Sequence, residues 1–432
     1  MKKIILILLF TLSFFDQSNA ASLIDALKEA YMSNPKLNAE RENLEIAQQK
    51  INEAKSDFLP TITISGYESS ENTTKITNRS GADVQGTDVN PSQKSILIEQ
   101  QLFQGMGGVA NFEKNNIGLE LSKYNLKKIE QEILFDAIGA YTSLVLSNKR
   151  VKINISNMDL LESQVETDRD RLERGEINLA DLAQSEASLA GAKAQLIEAQ
   201  NQLITSKLNY EKIIGPVSNY DELDKKYVFN YKLPESLALA NEIAKKENPK
   251  LYIAELELQQ SRQDVRIALS ELSPSAKLSF KSTRTDDTSS SYDESDKEIL
   301  KAEASWPIFS GGKNLASVKK SKSIKRQKLL LYEDAKRSAD AAVASAWSSF
   351  QSSKSFLQSI KSQVKAAEIA YEGITSEYES GSGRSTLDVI QSNSILLNSK
   401  INLANSERQF FLSQFSLLSS IGQLTGSYLG LN

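Results

Sequence analysis

The side chains best equipped for chemistry sit beside two glycine turns. After Gly175 the chain reads Asn178-x-x-Asp181, and after Gly381 and Gly383 it reads Ser385-x-x-Asp388. Tyr378 and Arg384 flank the second turn. A short polar residue followed three positions later by an acid is a helix start. The first side chain accepts from an orphan backbone N–H, and the acid favours the positive helix end. The same groups could instead pair with neighbouring segments, because an Arg–carboxylate bond is charge-assisted and directional. Neither task makes or breaks a covalent bond. The chain contains no cysteine and no histidine. Disulfides, thiolate nucleophiles, the commonest zinc ligand and the commonest general base are therefore absent. Carboxylate or lysine catalysis stays formally open, but no constellation supports it. The expectation is a protein that is not an enzyme and holds no cofactor or metal. With 51 basic against 55 acidic residues, it also lacks a nucleic-acid footprint.

The elements that position these turns are long. Helix is predicted over Gly108–Arg174, ended by Gly175, and again over Leu179–Ile214. Apolar residues recur every seven positions: Ala137, Leu144, Val151, Met158, Val165 and Leu172, then Leu182, Leu189, Leu196, Leu203 and Tyr210. A strict heptad keeps one seam facing a partner helix. An adjacent column, Ala183, Ala190, Ile197 and Ile204, implies a second neighbour, as in a ring of helices.

The plan occurs twice. Asn34-Pro35 recurs as Asn248-Pro249, Pro60 as Pro274, Phe103 as Phe309 and Ile214-Gly215 as Ile421-Gly422. Each half reads helix (Ser22–Phe58; 235–272), strand (Thr61–Tyr67; 276–285), loop, strand (Ser95–Phe103; 298–306), long helix and shorter helix (313–380 and 386–421 in the second half). The expected divisions are 1–20, 21–215, 216–247, 248–422 and a tail, 423–432. The strands alternate: Leu278 and Phe280 against Lys277, Ser279 and Lys281, and Leu300, Ala302 and Ala304 against Lys301 and Glu303. That is the two-faced pattern of a barrel wall in lipid. Lys2 and Lys3, the apolar run Ile4–Phe15 and Ser18-Asn19-Ala20 form an export signal, with a mature chain beginning at Ala21. Four strands cannot close a barrel, and open edges are not tolerated in lipid. A membrane form must oligomerise. The competing reading is a secreted or periplasmic coiled-coil scaffold without a pore.

The signal, the two repeats, the NP and P landmarks, the phenylalanine-glycine corners LFQG and IFSGG, and the glycine turns followed by LADL and LDVI resemble the TolC family of outer-membrane efflux and secretion channels. The resemblance covers essentially the whole mature chain. It implies a mainly α protein with a small β part. A long α-helical coiled-coil barrel would be continuous with a membrane β-barrel, with four strands and four helix columns per chain, in a homotrimer. It implies a Gram-negative outer membrane, a tube reaching into the periplasm, a periplasmic adaptor and an inner-membrane transporter, in tripartite efflux or type I secretion. Loops 68–94 and 284–297 would face outside, and 216–247 would form an equatorial belt. Asp388 matches a ring of acids at a cation-favouring entrance. Gln391 stands where the best-known members carry a second acid. Tyr378 and Arg384 match one side of a polar lock and Asp181 the other. Their first-half equivalents, Leu172 and Ile177, are apolar. Gly175, Gly381 and Gly383 mark the tips where the family's adaptors grip. Capping alone accounts equally well for Asp181 and Asp388.

Overall fold

The computed structural model describes residues 22–77, 79–84, 87–216, 223, 231–289, 292–381 and 383–431. The export signal, the cut before Ala21 and most of 217–230 lie outside the described residues. In chain order the elements are α1 (Leu23–Ser33), α2 (Pro35–Ser56), β1 (Thr61–Glu68), the short strands β2 (Glu71–Thr73), β3 (Ile76–Thr77), β4 (Asp83–Val84) and β5 (Thr87–Val89), then β6 (Ser92–Gln104), α3 (Gly107–Glu173) and α4 (Leu179–Ile213). There follow α5 (Leu237–Glu247), α6 (Pro249–Ser270), β7 (Ser275–Ser289), β8 (Tyr292–Ser305), α7 (Lys313–Glu379), α8 (Thr386–Ser420) and α9 (Gly426–Leu429). The repeat is exact in helix length: 11, 22, 67 and 35 residues in each half.

Three sequence expectations need correction. The helices expected over Ser22–Phe58 and 235–272 are each two helices, broken at Asn-Pro. The residue before a proline is pushed to extended backbone, and Asn34 and Asn248 have ψ of 121° and 114°. Pro35 has no N–H for the Tyr31 carbonyl. Arg41 Nη2 donates to that carbonyl instead, at 2.8 Å, with its guanidinium over the Tyr31 ring. Asn34 caps the new helix, its Oδ1 accepting from the N–H of Lys36 and Leu37. Its Nδ2 donates to the carbonyl of Ile213 at the end of α4. Asn248 donates likewise to Ser420 at the end of α8. The two NP motifs thus tie each short helix to the end of a neighbouring long one. Second, the loop expected over 68–94 carries two small antiparallel ladders, β2 with β5 and β3 with β4. Third, 284–297 is mostly strand. β7 and β8 stay paired out to Asp286–Glu294 and Ser289–Tyr292.

The chain divides into two compact units. One comprises Glu42–Asn125 and Lys250–Lys336. Its sheet is antiparallel, in the order β1-β6-β7-β8. Along one face run the rows Gln100–Leu278–Ala302, Ile62–Ile98–Phe280–Leu300 and Ile64–Ile96–Ser282–Glu298. A β-bulge between Gln101 and Phe103 re-aims Phe103 onto this face, opposite Ala276 and Ala304. Leu300 is 72% exposed and Ile64 79%. Four rows about 6.6 Å apart span about 20 Å along the strands and give the sheet one largely apolar face, as a barrel wall in lipid requires. Beside the sheet, Lys114–Asp264, Arg266–Glu113 and Lys328–Glu257 pair neighbouring helices, and Tyr124 stacks on Tyr252 at 4.5 Å.

The other unit comprises residues up to Arg41, Leu126–Pro249 and those from Arg337 onward. Its densest core joins Leu27, Leu134, Ile138, Tyr141, Tyr210 and Phe415, all buried. Along α3 the expected heptad column is buried or half-buried throughout. A second column, Ala140, Ser147, Asn154, Leu161 and Asp168, is buried as well. On α4 and α8 the matching inner columns are small: Ser185, Ala192, Ala199 and Ser206, and Ser392, Ser399, Ser406 and Ser413. Small side chains let antiparallel helices approach closely, and hydroxyl pairs satisfy each other across the contact. Ser147 meets Ser206 and Ser353 meets Ser413, both at 2.8 Å. The column Ala183, Ala190, Ile197 and Ile204 stays exposed, with Ile197 at 60% and Ile204 at 59%. No described helix is long and apolar enough to cross a membrane.

Candidate functional site: the helix-hairpin tips

Each hairpin turns on a glycine in the left-handed region: Gly175 at φ 73° and Gly381 at φ 72°. The first turn closes with the N–H of Gly175 on the Leu172 carbonyl and that of Glu176 on the Arg171 carbonyl. That pattern satisfies the last carbonyls of α3 and needs a residue without a Cβ penalty. In the second turn Gly381 donates to the Tyr378 carbonyl, and Gly383 is also left-handed, at φ 87°.

Both hairpins then restart with a complete capping box. Asn178 accepts from the Asp181 N–H, and the Asp181 carboxylate accepts from the Asn178 N–H. Ser385 and Asp388 do the same. The Asp388 carboxyl is held below the usual aspartate range, chiefly by the Ser385 backbone N–H, then by the Ser385 hydroxyl and nearby Arg384. Gln391, one turn along α8, is exposed.

Between the hairpins lies a buried polar bridge. The Tyr378 hydroxyl donates to Asp168 Oδ1 at 2.7 Å and lies 3.0 Å from Thr386 Oγ1. Ser185 donates to the other oxygen of Asp168 at 2.5 Å, and Gln164 Nε2 to Oδ1 at 2.9 Å. Asp168 is fully buried, so these three donors replace the water it has lost. The Arg171 guanidinium lies 4.3 Å above the Tyr378 ring while its Nε holds Glu176. Burial foremost, then Asp168, pushes the Tyr378 phenol above its ordinary value. It is a neutral donor at physiological pH.

This geometry corrects two expected partnerships. Tyr378 does reach the first hairpin, but its acceptor is Asp168, not Asp181. Asp181 is occupied by the Asn178 N–H at its own helix start, whereas Asp168 lies on the inner column of α3. Arg384 pairs with Glu377 of its own hairpin at 2.6 Å. Asp168, Ser185, Thr386, Arg171 and Glu377 were not expected from sequence. A signal for Asp168 existed. It is an acid in a buried heptad column whose second-half counterpart is Ile374, just as Tyr378 stands against Leu172. The two departures from repeat symmetry face each other.

A duplicated helical hairpin protein whose small sheet carries a lipid-suited apolar face is built as a membrane-inserted channel subunit. The chain matches the outer membrane efflux protein family over residues 26–216 and 241–423. It is 26% identical over 412 residues to the outer membrane efflux protein BepC of Brucella suis, covering 95% of this chain and 87% of that one. With the outer membrane protein TolC of Escherichia coli it shares 25% identity over 442 residues, covering 98% of this chain and 87% of that one. The crystal structure of the Campylobacter jejuni CmeC outer membrane channel superposes with a TM-score of 0.80 at 17% identity, covering 93% of this chain and 86% of that one. The chain therefore belongs to the outer membrane efflux protein family: it is a channel protein of the Gram-negative outer membrane. The pore-free scaffold is set aside.

Proposed function

We propose that three copies of this chain close a gated duct that receives cargo from a periplasmic adaptor and an inner-membrane transporter and releases it outside the cell. The observation that carries this reading is the incomplete sheet. Among the described residues β1 and β8 each pair on one side only, although the sheet has a lipid-suited face. Lipid does not accept open strand edges, so β8 of one copy must meet β1 of the next. The exposed α4 column gives the helices a matching need for a neighbour.

At the tips, Tyr378 and Asp168 with Ser185 and Thr386 hold the two hairpins together and keep the resting entrance narrow. Three Asp388 carboxylates ring that entrance and favour cations, and Gln391 adds no second acidic ring. Arg384, paired in the single chain with Glu377, adds an exposed and weaker restraint. Gly175, Gly381 and Gly383 shape the surface an adaptor grips. In planar bilayers, Tyr378→Phe combined with Arg384→Ser should conduct more than the parent. Parent-like currents would reduce both residues to turn chemistry.

A further inference from the structure

The sheet has a second face whose charges follow a rule of their own. Its rows read Gln101–Lys277–Glu303, Glu99–Ser279–Lys301, Leu97–Lys281–Ile299 and Ser95–Thr283–Lys297. Each of four successive rows carries one lysine, and the lysines alternate between β7 and β8. Lys277 lies 3.4 Å from Glu99, and Lys301 lies 2.8 Å from Glu303. Lys281 and Lys297 make no ion pair among the described residues; Lys281 sits between Leu97 and Ile299, and Lys297 beside Thr283. Four lysines against Glu99 and Glu303 leave a net of two positive charges per chain on these rows. The row beyond, Gln93–Thr285–Ser295, is neutral. The apolar band occupies the opposite face at the same depth. Side chains alternate across a strand, so the lysines point where lipid is not.

We propose that Lys281 and Lys297, continued by Lys277 and Lys301, form an anion track on the inner wall of the barrel that takes carboxylate or phosphate groups. This rests on the barrel reading above. Successive rows are about 6.6 Å apart, close enough for an anionic group to pass from one ammonium to the next without being fully released. Ser279 and Thr283 supply hydroxyl donors along the way. The two unpaired lysines set the sign of the track, because the other two share their charge with carboxylates.

The test is single-channel recording of the full-length protein in planar bilayers, with inorganic tripolyphosphate as the probe. The parent current should fall reversibly on its addition, and less so as salt is raised. In the Lys281→Gln, Lys297→Gln double variant the concentration needed should rise roughly tenfold or more, the effect of removing two unit charges per chain from a wet site. Lys281→Arg with Lys297→Arg should keep the parent's sensitivity. If the double glutamine variant fails to insert, each single glutamine variant should show a smaller loss in the same direction. Unchanged sensitivity in the glutamine variants, or no response in a conducting parent, overturns the anion track and leaves the duct standing. A parent that inserts and passes no current overturns the duct reading and the track with it.

Discussion

At the residue scale, function comes down to how buried polar atoms are satisfied. Asp168 is fully enclosed and depends on donors from Tyr378, Ser185 and Gln164. Removing one donor from a buried charge costs about 1–3 kcal/mol. Asp168→Asn keeps the shape but gives up the charge-assisted bonds, so the hairpins should separate more readily. Proteolysis at the tips of the purified protein should quicken several-fold, and an unchanged cleavage rate would mean the bridge does not hold them. Asp388 obeys a different logic. Its folded titration lies below the ordinary aspartate value of 3.8. Its capping contribution is therefore complete above that value and is lost as pH falls through the lowered one. Cation preference owed to Asp388 should persist at pH 4 and fade only in stronger acid, and Asp388→Asn should lower it at every pH above that. Reversal potentials in a salt gradient measure both; a preference already lost at pH 5 would place the acidic ring elsewhere. The capping boxes were legible in the sequence because three-residue spacing is local. The Tyr378–Asp168 contact was not, because it joins residues from different repeats. Only the broken symmetry at Leu172–Tyr378 and Asp168–Ile374 pointed to it.

At the element scale, periodicity and proline decide most of the outcome. The long helices were predicted to within a residue or two, since the heptad held from Ala137 to Leu172 and helix-favouring composition carried the rest. The same reading overran Asn34-Pro35 and Asn248-Pro249, where helix-favouring composition on both sides hid a break. It also missed the serine columns, because a buried serine in a hairpin seam looks like a surface residue until its partner on the facing helix is known. The strand pair 275–305 was read too short for a related reason: its outer ends carry charges on both faces, a composition that resembles loop. Asn34 does two jobs, capping α2 and tying down the end of α4. Asn34→Ala should cost about 1–2 kcal/mol and lower the thermal midpoint of the helical circular dichroism signal in detergent. Loss of the tie alone is read from Asn34→Ser, which can cap but cannot reach the Ile213 carbonyl. Equal stability of Asn34→Ser and the parent would show that the tie contributes nothing.

At the scale of the whole molecule, the single chain is unfinished in two places. Its sheet has two unpaired edges, and α4 exposes the apolar column that ends in Ile197 and Ile204. In the proposed duct both needs are met by copies of the same chain arranged head to tail around an axis. Ile197→Lys with Ile204→Lys should leave helix content intact and yield monomers in detergent, read from the mass of the solubilised particle. Trimers of normal mass would show that the column has no part in assembly. The central claim is that these copies enclose a water-filled passage held nearly shut at the tips. Its most direct test is current through the purified full-length protein in a planar bilayer. The expected result is discrete, reproducible steps that grow when Tyr378 is replaced by phenylalanine. A folded, inserted oligomer that passes no ions in either form would contradict it.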